Sequence, residues 1–354
     1  MRGGIASFFP AYFALVMATG IASVAAFLLG LKPIAYVLLA LNIVHFCVLS
    51  TIVLLRVVFY FSSVLADLRD HTRGPGFFSV VAGMCVFGSQ LVVLTGAYAV
   101  ATGLWAAGIV LWVLVMYSFF GSVVTRERKP SLEAGINGAW LIAAVATQSL
   151  STLGSFLAPH FGYQPVMMFV SLCAYLLGCM LYLNIITLIF YRFTFLEFTA
   201  QSFTPPYWIN MGAVAITTLS GSLLILNSDH WQLLIELKAF VKGFTLFFWV
   251  AGTWWIPLLF VLGVWRHVYK RDPITYDPQY WGLVFPLGMY TTSTFRLSQA
   301  LELPFLLVIP RVFLYISLAA WLATYLGMIR SVVRYLRGTD VVKFANADTP
   351  VRPT

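Results

Sequence analysis

Ten long apolar runs, following one another with almost nothing between them, leave this chain one class of fold. A helix that crosses the hydrocarbon core of a bilayer needs about 20 predominantly apolar residues. Runs of that kind extend over Phe8 to Leu29, Pro33 to Tyr60, Phe77 to Ala101, Gly103 to Val124, Gly138 to Leu157, Pro165 to Phe193, Tyr207 to Leu226, Ala239 to Trp265, Tyr280 to Gln299 and Pro304 to Leu336. With 61% of 354 residues hydrophobic and 9% charged, nothing is left over for a water-soluble domain. The first run is too long for a signal-peptide core and no cleavage-like stretch follows it, so it reads as a retained span. The expectation is an all-α integral membrane protein, with a single transmembrane domain over 1–338 and a cytoplasmic tail over 339–354.

The links alternate in kind. Those after spans 1, 3, 5 and 9 are short and nearly uncharged, whereas those after spans 2, 4 and 8 carry charge clusters. Short links join antiparallel neighbours, so the chain reads as five helical hairpins, with Asn227 to Lys238 as the one longer tip. Fifteen Lys and Arg, from Arg2 through Arg69, Arg126 and Arg266 to Arg352, fall on the side of the termini, against Lys32, Lys238 and Lys242 on the other. Basic residues accumulate on the cytoplasmic side, which places both termini there and the protein in the cytoplasmic membrane. The net charge of +9 is therefore a topology signal, and no nucleic-acid partner is expected.

The odd spans share a character. FFPAYFALVMATGIAS, GFFSVVAGMCVFGSQ, GAWLIAAVATQSLSTLG, PPYWINMGAVAITTLSGS and YWGLVFPLGMYTTSTFRLS each open on aromatics and turn to Gly, Ala, Ser and Thr at close intervals. The even spans are bulkier and more uniformly apolar. Small residues let helices approach closely, and hydroxyls are favoured where they face one another or water. The expected architecture is ten transmembrane helices, arranged as five hairpins around a pseudo-five-fold central pore with the odd helices innermost. The plainer alternative is that the small residues only pack helices together.

No Asp or Glu lies well inside any span, which removes the usual basis for a cation path or a carboxylate proton relay. Arg296, near the outer end of span 9, and Arg311, about two turns into span 10, are candidates for an electropositive outer vestibule; neutralisation by Glu302 or snorkelling to the headgroups is their plainer role. Arg56 and Lys242 read as interfacial anchors. The candidate lining is neutral: Thr19, Ser89, Gln90, Thr147, Gln148, Thr217, Thr218, Thr291 and Thr292. Hydroxyl and amide groups donate to an anion without trapping it, although each of these residues is also suited to an interhelical hydrogen bond. Pro10 and Pro206 suit helix starts, whereas Pro286 lies inside span 9 and can kink it. His45 reads as a packed residue and the four cysteines, all in apolar runs, as inert. No metal cluster, phosphate-binding glycine loop or nucleophile with a base is visible, so no catalytic residue, metal or cofactor is expected.

The opening FFPAYFALVMATGIAS and the WGLVFPLGMYTTST of span 9, set among ten spans, resemble the tellurite-resistance/dicarboxylate transporter family, which includes malate permeases, sulfite efflux pumps and slow-type anion channels. The resemblance implies a homotrimer in which each protomer has its own pore. It also implies a gate on the ninth helix, where the channel branch places a phenylalanine a few residues after a Phe-Pro pair. Here that pair is Phe285 and Pro286 and the gate position falls on Met289, with the adjacent Tyr290 or Phe285, one turn earlier, as alternatives. The reading is an anion channel or permease in the lipid bilayer, moving small anions or C4-dicarboxylates. A proton-coupled dicarboxylate carrier, a sulfite or oxyanion exporter and a non-transporting bundle are the alternatives. Orientation has a direct check: a reporter fused after Thr354 is expected to be active only in the cytoplasm, and activity confined to the outside would overturn the charge count.

Overall fold

The computed structural model describes residues 5–337, so the tail expected over 339–354 lies outside the described residues. Every regular element among them is a helix. Ten are long: α1 (Ala14–Leu28), α2 (Lys32–Phe59), α3 (Phe78–Thr95), α4 (Tyr98–Thr125), α5 (Ile142–Leu157), α6 (Gln164–Phe195), α7 (Ile209–Leu226), α8 (Gln232–Val264), α9 (Trp281–Ala300) and α10 (Val308–Leu336). Nine of the corresponding stretches are long and apolar enough to cross a membrane. The exception is α9, whose hydroxyls, Arg296 and Gln299 dilute its apolar residues below that level. Helix α8 begins at Gln232 instead of Ala239, so Lys238 and Lys242 are helical and the long tip shrinks to 227–231.

The odd helices start alike. Each is entered through a single 3-10 turn, Pro10–Phe13, Gly74–Phe77, Gly138–Leu141, Pro205–Trp208 or Pro278–Tyr280. Proline suits this place because its fixed φ is helical and the N–H it lacks would have no partner in a first turn. Pro10 and Pro206 therefore start helices, while Pro286 sits inside α9.

Packing separates two classes of helix. Helix α1 touches α3, α3 touches α5, α5 touches α7, α7 touches α9, and α9 returns to α1, a closed circuit of the odd helices. Each even helix lies against its own hairpin partner on the outside of that circuit. The most apolar windows of the stretches holding α1, α3, α5 and α7 are 72% to 94% buried, against 22% to 44% for the even helices. The polar composition of α9 is tolerated because sixteen of its twenty residues are covered by protein.

Polar bonds tie the outer helices to the inner ones. Indole N–H groups of Trp321, Trp112 and Trp249 donate to the hydroxyls of Thr19, Thr147 and Thr294 at 3.0, 2.8 and 3.0 Å. The Asn42 amide on α2 donates to Gln90 Oε1 on α3 at 2.7 Å, and Gln148 Nε2 on α5 donates to the Tyr175 carbonyl on α6 at 2.9 Å. A second set of bonds holds the ends of three hairpins. Arg56, Arg192 and Arg266 donate to the carbonyls of Ala6, Ile136 and Phe203, each just ahead of the inner helix of the same hairpin. Arg56 is therefore no headgroup anchor: it is buried, and Asp67 binds it at 2.6 Å while also binding Arg73 at 2.7 Å. His45 is half-buried beside Tyr325, 3.5 Å from its hydroxyl.

Close approach at the ring depends on glycine. A Cβ on Gly138 would fall against the Pro206 carbonyl and 2.6 Å from the Tyr207 Cα, both backbone atoms that cannot step aside. Gly243, on the outside of α8, has nothing within 4 Å of the same position. Gly138→Ala is expected to destabilise the protein by about 1–3 kcal/mol through overpacking. In a thermal melt of the purified protein this appears as a lowered midpoint, whereas Gly243→Ala should leave the midpoint equal or higher because alanine favours a helix.

Candidate functional site

The ring encloses a cavity to which all five odd helices contribute. Its wall is Ile21 and Val24 from α1, Val86 and Ser89 from α3, Ser149, Thr152 and Phe156 from α5, Ile216 and Leu219 from α7, and Met289 and Thr292 from α9. The space not filled by atoms is about 330 Å³ with open solvent included, and the cavity proper is narrow. A second, smaller cavity lies nearer the helix starts, lined by Ala14, Met17, Ile142, Val145, Ile209, Gly282 and Phe285. Residues three and four apart share a helix face. Gly282, Phe285, Met289, Thr292 and Arg296 accordingly form one stripe on α9, and Ile142, Val145, Ser149, Thr152 and Phe156 form another on α5.

Several gate candidates fall on this axis. Phe285 lines the inner cavity and Met289, one turn on, lines the larger one. Tyr290 does not line either: its hydroxyl is 2.8 Å from Thr253 Oγ1, and its ring lies between Trp249 and Phe313, away from the axis. Pro286 also points sideways, its ring filling the space beside Gly212 of α7, where a Cβ would meet it at 2.7 Å.

The expected polar lining divides sharply. Ser89 and Thr292 face the larger cavity. Thr19, Gln90, Thr147 and Gln148 point outward instead, into the bonds that hold the even helices. Thr217, Thr218 and Thr291 are buried and donate to carbonyls one turn back in their own helices, at Ala213, Val214 and Leu287. None of these seven lines either of the two cavities. The physical reason is supply: in an apolar surrounding an indole or amide donor must find an acceptor, and the inner-helix side chains provide it.

Arg296 and Arg311 part company. The Arg296 guanidinium lies 6.0 Å from the centre of the Phe156 ring at the rim of the larger cavity, and its Nη1 donates to Gln299 at 2.9 Å. Its Nε is buried without an acceptor. Arg311 is exposed on the outer face of α10 and does not join this group. At the opposite side, below α3, burial and then Arg126 hold the His71 imidazole below its ordinary range, against Asp70 and together with Lys129.

Sequence reasoning missed Ser149, Thr152, Phe156 and the aliphatic wall of Ile21, Val24, Val86, Ile216 and Leu219. Their spacing of three and four residues was available, but inner helices apolar on every side show no contrast to single out one stripe.

A family model described as voltage-dependent anion channel (SLAC1) matches residues 7–329. An uncharacterised transporter of Methanocaldococcus jannaschii is 25% identical over 83% of this chain and 86% of its own length. The sulfite efflux pump SSU1 of Trichophyton rubrum is 23% identical over 91% of this chain and 90% of its own. A shorter match, to an uncharacterised membrane protein of Mycobacterium tuberculosis, is 36% identical over 42% of this chain and 75% of the relative. With its multiple apolar helices and a family match through all but its ends, the chain is a multi-pass membrane protein that belongs to the voltage-dependent anion channel family, whose function is anion transport.

Proposed function

We propose that the circuit of odd helices is a conduit for small anions across the cytoplasmic membrane, with all ten long helices crossing as five hairpins in pseudo-five-fold array. The observation that carries this reading is that five helices share one cavity, lined by Met289, and that Phe285, one turn earlier on the same stripe of α9, lines a second. The wall is mainly aliphatic, and a hydrophobic constriction closes a path by excluding water from it. Arg296, past Thr292 on the same stripe, supplies the positive charge that favours anions over cations. The distribution of basic residues supports a cytoplasmic location for both termini, and the family resemblance supports a homotrimer.

C4-dicarboxylates such as malate fit this wall less well, because a second carboxylate would lie against aliphatic side chains with no donor. The similarity to a sulfite efflux pump favours a compact oxyanion as the second reading. A proton-coupled carrier finds no carboxylate or imidazole among the side chains lining the two cavities.

Anion currents across planar bilayers or flux into vesicles holding the purified protein test the proposal. Met289→Ala is expected to raise chloride or nitrate conductance roughly tenfold, the equivalent of about 1.4 kcal/mol off the barrier. An unchanged current would move the closure away from Met289. Arg296→Gln should leave the protein folded and lower the anion-to-cation permeability ratio, read as a shift of reversal potential in a salt gradient. A ratio equal to that of the unmodified protein removes Arg296 from selectivity.

A further inference from the structure

The larger cavity carries four hydroxyls, and their protons are not equally available. Ser89 donates to the Cys85 carbonyl at 2.9 Å, Ser149 to Ala146 at 2.7 Å and Thr292 to Gly288 at 3.1 Å, each one turn back in its own helix. These three present lone pairs to the cavity, the wrong polarity for an anion. Thr152 differs. It is only 3% exposed, it lines the cavity, and its Oγ1 has no hydrogen-bond partner. A buried hydroxyl without a partner carries a desolvation cost that a ligand can relieve.

The second unused donor belongs to Arg296. Thr152 and Phe156 are one turn apart on α5, and Thr292 and Arg296 are one turn apart on α9, so Arg296 stands about 6 Å past the hydroxyl level at a rise of about 1.5 Å per residue. Its guanidinium rests against Phe156, itself part of the cavity wall, and its Nε is buried without an acceptor. Around these donors Ile21, Val24, Ile216 and Leu219 supply no polar group.

We propose that this cavity is a binding site for one small, partly dehydrated monovalent anion, held by the Thr152 hydroxyl and the Arg296 guanidinium. The inference rests on the conduit reading and names the station at which the ion pauses. One cation and one hydroxyl balance one negative charge, and the aliphatic wall favours an ion that gives up its water readily. An arriving anion competes with the Phe156 ring for the guanidinium, so occupancy loosens the contact at the rim.

Nitrate is the probe, measured by two readouts on the same preparation. In detergent or nanodiscs, sodium nitrate at constant ionic strength, balanced with sodium gluconate, is expected to raise the melting midpoint in a saturable way. Thr152→Val keeps the shape of the side chain and breaks no hydrogen bond, so it should fold. It is expected to raise the half-saturating nitrate concentration about tenfold, the effect of losing one hydrogen bond to a charged group. Arg296→Gln should raise it at least as much, with partial rescue by Arg296→Lys. Thr187→Val, on the exposed face of α6, controls for the exchange itself. No nitrate-dependent shift in the unmodified protein, or an unchanged half-saturation in Thr152→Val, overturns the site. Vesicle flux separates the two readings: nitrate flux together with unaltered affinity in Thr152→Val removes the site and keeps the conduit. A saturable shift lost in Thr152→Val, without flux of nitrate or chloride in the unmodified protein, keeps the site and removes the conduit.

Discussion

Hydrogen bonds between outer and inner helices are the constraint on which the rest of this structure depends. In a bilayer the lipid chains are as apolar as leucine, so apolar contact alone gives one helix little reason to prefer another over lipid. Indole and amide donors on the outer helices supply that preference. Trp112, Trp249 and Trp321 each reach a threonine hydroxyl on an inner helix, and Asn42 reaches Gln90. Glycine completes the arrangement by letting backbones approach, as where Gly212 accommodates the Pro286 ring and Gly178 meets the Gln148 side chain.

The same bonds decide what the axis is made of. Hydroxyls turned outward to accept from tryptophan are not available to an ion, so the inner surface is left mostly to Ile, Val, Leu, Met and Phe. If this axis is the proposed conduit, such a wall closes it by dryness as well as by width, and its few polar groups acquire large weight. On the proposed reading, one threonine without a partner and one arginine at the rim matter more than the larger number of hydroxyls on the inner helices. At the other side, the arginines that end α2, α6 and α8 hold the loops ahead of the inner helices through backbone carbonyls. These clasps brace the feet of three hairpins.

Much of this was legible in the sequence, and the failures have a common cause. The helices and the division into small inner and bulky outer ones were open to inspection, whereas an interhelical hydrogen bond was only the plainer alternative for each polar residue expected in the lining. The stripe of Phe285, Met289, Thr292 and Arg296 was partly seen through the oddity of its composition. Thr19, Thr147 and Gln148 were misplaced as lining because composition reports that a helix carries hydroxyls and amides, and not the direction in which they point.

By itself the sequence determined a membrane-embedded helical protein, the order of its apolar runs, the absence of acidic groups from the middle of the spans and the placement of basic residues. Each of these follows from transfer energies summed along the chain, which do not depend on neighbours distant in sequence. Only the tertiary structure decided which face of each inner helix meets the axis. Rotation about a helix axis is set by partners contributed by other helices, as Trp321 is for Thr19 across 302 positions of sequence. The solitary freedom of Thr152 is of the same kind, because a missing partner becomes visible only when every surrounding helix is in place.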